Sequence, residues 1–170
     1  EAWDHAVARG APIYGEVLGF GANADAGDLT SPDMDNAAAA MALAIRDAGM
    51  GPADIGYINA HGTGTAMNDT IESAAIRKVF GASPPPVSSS KGVLGHCLGA
   101  AGALEAVVTL MALREQTMPP TANCTDPDHD LGIDMIPEGA RLASFTAALS
   151  NSFAFGGLNA VLVLGSGLRA

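Results

Sequence analysis

Between Leu98 and Leu113 the chain reads LGAAGALEAVVTLMAL, a helix-length run that is apolar on nearly all sides, with Glu105 as its one charge. A helix without a polar face has to lie in the middle of a protein, wrapped by other elements. It is too short to cross a bilayer, which takes about 20 apolar residues. The composition points the same way. The chain has 170 residues, 48% hydrophobic but only 15% charged and 5% aromatic, so a single core of ordinary size must be packed from Ala, Val, Leu, Ile and Met. A mean hydropathy of +0.25 predicts a domain that leans on a partner chain or a further segment and has low stability by itself.

Net charge is −10, from 18 acidic against 8 basic residues, which argues against nucleic acid and against an anionic membrane surface. No signal peptide is visible, and the two cysteines, Cys97 and Cys124, are too few for a disulfide scaffold, so the expected compartment is the cytoplasm. Residues Glu1–Gly10 read as the last turns of a helix closed by Gly10, so the chain is expected to begin inside an element, as a cut or processed product does.

Strand and helix signals alternate. Pro12–Ala24 (PIYGEVLGFGANA) reads as a bent or bulged strand. A turn at Ser31-Pro32-Asp33 leads into a helix with Ala38, Met41, Ala42, Ile45 and Ala48 at helical spacing, closed by Gly49. Ile55–Ala60 is a short buried strand, and Asn68 or Asp69 can cap the helix that carries Ile71, Ala75 and Val79. Val87–Ser90 is a brief strand ending at Lys91. Residues 117–140 are expected to be irregular, and Ala143–Leu149 and Ala160–Leu164 read as two final strands. The fold class is α/β, with a mixed sheet packed between helices, in one domain over residues 1–170.

Three segments place polar or glycine residues where a strand hands over to a loop, which is where α/β sheets build their sites. In His61-Gly-Thr-Gly-Thr65, a histidine follows a buried strand, two glycines allow close approach, and Thr63 and Thr65 offer hydroxyls. In Lys91-Gly-Val-Leu-Gly-His96, the histidine precedes the apolar helix, whose positive end favours an uncharged ring suited to polarising a carbonyl. Lys91 needs a carboxylate, and Glu72 and Asp69 are the candidates. In Asn151–Asn159, Phe153 and Phe155 sit beside Gly156-Gly157, where an aromatic ring can swing as a gate. Each has an ordinary alternative: a histidine satisfied in its turn, a surface lysine with a capping histidine, a hairpin with core phenylalanines. Cys97 beside His96 reads as a small buried cysteine, and no metal site is expected from the spacing of Cys, His and Asp.

In order and spacing these motifs resemble the β-ketoacyl-acyl-carrier-protein synthases. The residues that carry the likeness are His61-Gly-Thr-Gly-Thr65, then Asn68-Asp69 and Glu72, then Lys91–His96 with Leu98-Gly-Ala-Ala-Gly102, then Asn151–Gly157. The pattern looks closest to the elongating type II bacterial enzymes, and the chain matches the C-terminal half. The resemblance implies a thiolase-like fold of two similar halves that dimerises, and decarboxylative Claisen condensation of an acyl thioester with malonyl-carrier protein in fatty acid elongation. By position His61 and His96 donate N–H groups to the malonyl thioester oxygen, with Lys91 paired to Glu72. Thr63, Thr65, Phe153 and Phe155 line the substrate, and Asp69, Asn151 and Gly156 support the loops. The partners implied are acyl carrier protein, whose phosphopantetheine carries the substrate, the N-terminal half and a second copy. No separate cofactor is implied.

One departure matters: the family's nucleophilic cysteine belongs to the first half, and nothing here replaces it. The chain by itself is expected to be inactive. The competing readings are a chain-length-controlling subunit, whose partner supplies the chemistry, and a domain that only binds carrier protein. Retention of His61, Lys91 and His96 favours the catalytic reading, and the −10 charge speaks against binding an acidic carrier.

Overall fold

The structure is a computed structural model that describes residues 1–137 and 139–167. A short helix α1 (Trp3–Ala8) precedes strand β1 (Gly15–Ala24) and helix α2 (Met34–Asp47). Strand β2 (Tyr57–Asn59), helix α3 (Ala66–Phe80), strand β3 (Val87–Ser88) and the one-turn helix α4 (Lys91–Leu94) follow. Helix α5 (Ala101–Glu115), the small strands β4 (Thr117–Met118) and β5 (Arg141–Leu142), and the hairpin β6 (Ala147–Ala154) and β7 (Leu158–Ser166) complete the chain.

The main sheet has the order β1–β7–β6–β2–β3. Strand β2 runs parallel to β3 and β6, while β7 is antiparallel to both β6 and β1, which gives the mixed sheet expected from the sequence. Successive strand residues face opposite sides, so each strand feeds two cores. Ile58, Leu149 and Val163 pack with Met41 and Ile45 of α2 and Ile76 of α3. Their neighbours Tyr57, Ala148 and Leu164 pack on the other face with Ala112 and Leu113 of α5. The architecture is helix, sheet, helix.

Strand β1 carries a register shift between Val17 and Gly19, the bulge its glycines suggest. A Cβ at Gly19 would stand 2.4 Å from the Ala44 carbonyl oxygen and one at Gly21 2.2 Å from that of Ala40, so α2 lies directly on the strand.

Three local expectations are corrected. Helix α3 starts at Ala66, capped by Thr65, whose hydroxyl accepts from Asn68 N–H; neither Asn68 nor Asp69 is the cap. Residues 151–154 belong to strand β6, and the connection to β7 is only the tight turn around Phe155-Gly156-Gly157, with φ of +79° at Gly156 and +75° at Gly157. The apolar run from Leu98 begins with a 3-10 turn and continues as α5, which buries only one side: Leu98 is 72% and Val107 58% exposed.

Candidate active site

Strand β2 delivers His61 to the sheet edge, and Glu72, on the second turn of α3, holds the loop that follows. The two Glu72 oxygens accept from the backbone N–H groups of His61 (2.9 Å) and Gly62 (2.8 Å). They also accept from the side-chain amides of Asn151 (3.1 Å) and Asn68 (3.4 Å). Burial pushes the Glu72 carboxyl above the usual carboxylate range, against these four bonds, which favour its charged form. Glu72 therefore acts on the backbone that presents His61, and Asn151, predicted as support, is brought to it.

The expected Lys91–Glu72 pair does not form. Lys91 Nζ binds Glu105 Oε1 on α5, with side-chain exposures of 7% and 3%. With Glu72 saturated by N–H donors, the lysine at the start of α4 turns to the helix that follows it. Asp69, the other candidate, accepts from Asn68 Nδ2 at 3.1 Å. Glu105 is the functional residue the sequence reading missed; its signal was a lone charge in an apolar helix, which needs a buried counter-charge. Burial raises the Glu105 carboxyl, and Lys91 pulls it back. Asn59 was missed as well: its side-chain amide donates to the Glu105 carbonyl and to Thr109 Oγ1, both at 3.2 Å, and so ties β2 to α5.

His61 and His96 converge. Their ring centroids lie 5.4 Å apart at 83°, edge to face. The buried Phe153 packs on His61 at 5.7 Å, and Lys91 Nζ stands 3.5 Å from His61 Nδ1. Burial, then the Lys91 and His96 charges, lower the His61 pKa to about 3, so its ring is uncharged at neutral pH. Because an ammonium only donates, His61 Nδ1 is an acceptor and the ring proton sits on Nε2. His96 is fixed in the same sense by a different donor, since Leu98 N–H reaches its Nδ1 at 3.2 Å. Leu98 adopts a left-handed φ of +49° in doing so. Both rings thus offer an Nε2–H.

A cavity of about 660 Å³ opens over this pair, lined by His61, His96, Thr63, Thr65, Phe153 and Phe155 among others. Thr63 and Thr65 share a hydroxyl contact of 3.1 Å. Phe155 is 72% exposed at the hairpin tip. That tip is tied to the 25–33 loop, which forms the opposite wall: Gly156 N–H donates to the Leu29 carbonyl (2.9 Å) and Asp25 N–H to that of Gly157 (2.7 Å). Cys97, expected to be buried, is half-buried, and its thiol donates weakly to the Leu94 carbonyl. Two imidazole Nε2–H donors beside an apolar-walled cavity can stabilise negative charge developing on a carbonyl oxygen.

Residues 14–125 match the family described as "Beta-ketoacyl synthase, C-terminal domain". The chain is 49% identical to nodulation protein E of Rhizobium sp. strain N33 over 95% of its length and 41% of that protein. It is 46% identical to 3-oxoacyl-[acyl-carrier-protein] synthase 2 of Vibrio cholerae over 96% of its length and, again, 41% of the relative. Among solved structures, the ishigamide ketosynthase/chain length factor superposes with a TM-score of 0.95 at 44% identity, covering 98% of this chain and 41% of that one. The chain therefore spans about two fifths of the length of the relatives it matches.

Proposed function

We propose, from the premise that this chain belongs to the β-ketoacyl synthase family and has the fold of the C-terminal half of a thiolase-like enzyme, that it supplies the two-histidine part of a 3-oxoacyl-[acyl-carrier-protein] synthase site. The reaction is decarboxylative condensation. A malonyl thioester on the carrier loses CO₂, and its C–C bonding pair becomes the enolate of the remaining acetyl thioester. That carbon then attacks the carbonyl of an acyl group held as a thioester on the cysteine of the other half, forming a C–C bond and expelling the cysteine thiolate. His61 and His96 donate their Nε2–H groups to the malonyl thioester oxygen while it carries the enolate charge. The observation that carries this reading is the pair of rings at 5.4 Å, each with Nδ1 occupied by a donor.

The remaining assignments belong to the same proposal, and the place of Thr63, Thr65 and Phe155 in the cavity lining supports their part of it. Thr63 and Thr65 line the approach of the phosphopantetheine arm of acyl carrier protein, and Phe155 is the gate. The open side of α5 receives the nucleophile-bearing half, and the whole assembles as a homodimer in the cytoplasm. Among the described residues no helix is long and apolar enough to cross a membrane. The name of the ishigamide structure pairs a ketosynthase with a chain length factor. Convergence of both imidazoles with Lys91 fits the catalytic member of such a pair, because a subunit without chemistry needs neither donor.

The test joins this chain to the remaining part of the Vibrio cholerae relative and measures CO₂ release from malonyl-carrier protein. Release that falls by about a hundredfold or more with His61→Ala and with His96→Ala is expected, the loss seen when an oxyanion donor is removed. Undiminished release in either variant overturns the reading.

A further inference from the structure

We propose that Ser89 is the positioning residue that fixes the separation of the two histidine-bearing loops. Ser89 follows strand β3, is buried, and stands two residues before Lys91. Its hydroxyl donates to the carbonyl of Gly62, immediately after His61, at 2.8 Å. The same oxygen accepts from Lys91 N–H at 3.3 Å, at the start of the segment that leads to His96. A hydroxyl has one proton to give and lone pairs to receive, so this one oxygen crosslinks the two loops with both capacities used. Its own backbone is fixed from a third side, since Ser89 N–H donates to Thr121 Oγ1 at 3.1 Å.

The contact is also sterically tight. A Cβ at Gly62 would lie 2.6 Å from Ser89 Cβ and 2.8 Å from its Oγ, and Gly62 holds a φ of +40°. Glycine at this point lets the hydroxyl reach the carbonyl, and the carbonyl sets the peptide plane beside His61. Glu72 fixes the N–H groups of that loop. Ser89 fixes its carbonyl, and it is the one of the two that also bonds to the other loop. Without the crosslink the strands stay paired up to the bond from Ala60 N–H to the Ser88 carbonyl (2.9 Å), but beyond it the two loops are tied at the side-chain level by the longer Lys91 Nζ to His61 Nδ1 contact of 3.5 Å.

The inference rests on the proposed reaction for its catalytic consequence and stands apart from it in its structural one, so two measurements are made. In the joined enzyme, Ser89→Ala is expected to lower kcat for malonyl-carrier decarboxylation between about tenfold and a hundredfold, with KM within about twofold, because a small misplacement of the donors penalises the transition state and leaves carrier binding alone. In the chain alone, followed by nitrogen NMR of the imidazole rings, the His61 midpoint is expected to rise from about 3 as its ring gains access to water. Ser89→Cys, close in size and with a weak S–H donor, gives intermediate values and replaces the alanine variant if that one does not fold. A folded variant with unchanged kcat and an unmoved His61 midpoint overturns the role, as does a change confined to KM. If the unsubstituted joined enzyme releases no CO₂, the reaction is wrong, and the His61 titration still decides whether Ser89 sets the loop.

Discussion

At the residue scale the site is governed by what surrounds each ionisable group. His61 has the clearest consequence. The unfolded chain protonates this histidine near 6.5, whereas the folded one resists to about 3. A base whose folded pKa is depressed binds its proton preferentially in the unfolded state, so its share of stability is intact above about 6.5 and is lost as the pH falls toward 3. The stability difference between the wild-type chain and His61→Gln, read from urea unfolding, should be flat above pH 7 and should tilt against the wild type below it. A flat difference down to pH 4 would show that the ring is not held neutral by burial.

Lys91 and Glu105 give the second residue-scale outcome. Lys91→Ala leaves a carboxylate buried without its counter-charge and should cost about 3–5 kcal/mol of unfolding free energy. The double variant Lys91→Met with Glu105→Leu should recover most of that loss, because no charge remains to be desolvated. In the double variant the His61 midpoint should also rise, since the Lys91 charge is one of the causes holding it down.

At the element scale the fit of α2 on β1 is the sharpest constraint. Gly21→Ala would bring a methyl within 2.2 Å of the Ala40 carbonyl oxygen and 2.6 Å of Ala44 N, both of them helix backbone that cannot swing away. The helix must lift, and about 1–3 kcal/mol of destabilisation is expected by thermal unfolding. Gly27→Ala is the control, since nothing lies within 4 Å of its added carbon.

The same scale shows what the sequence could and could not reveal. The bulge in β1 was legible because glycines interrupt an otherwise β-branched and aromatic run. The short β2 and the motif after it were legible because a buried strand ending in His-Gly-Thr-Gly-Thr has a local signature. The hairpin was not: Asn151, Ser152 and Phe153 look like loop, and become strand only because β7 pairs with them, beyond the point where β2 leaves β6 at Ser150. The partner of Lys91 was hidden for a related reason. Glu72 was close in motif order, but it is saturated by N–H groups from the His61 loop, from Asn68 of α3 and from Asn151 of β6, and that saturation exists only once the chain has folded.

At the scale of the whole molecule, α5 explains why a chain so apolar carries a helix without a polar face. Its inner side, with Ala112 and Leu113, packs on the sheet. Leu104, Val107 and Met111 lie at helical spacing on the other side and are exposed. A stripe of this kind in water is an interaction surface, and covering it contributes roughly 1.5–3 kcal/mol for each large side chain buried. If it receives the other half of the synthase, Val107→Glu should leave the stability of the chain alone within about 0.5 kcal/mol, because the site is solvent-facing there. The same substitution should weaken assembly with the remaining part of the Vibrio cholerae relative by at least about tenfold, a buried unpaired carboxylate being costly. Dye binding that reports exposed apolar surface should be strong for the chain, weaker for Val107→Glu, and quenched on assembly of the unsubstituted pair. Loss of stability in the isolated variant would place Val107 in a core this chain forms by itself, and unchanged assembly would place the other half elsewhere.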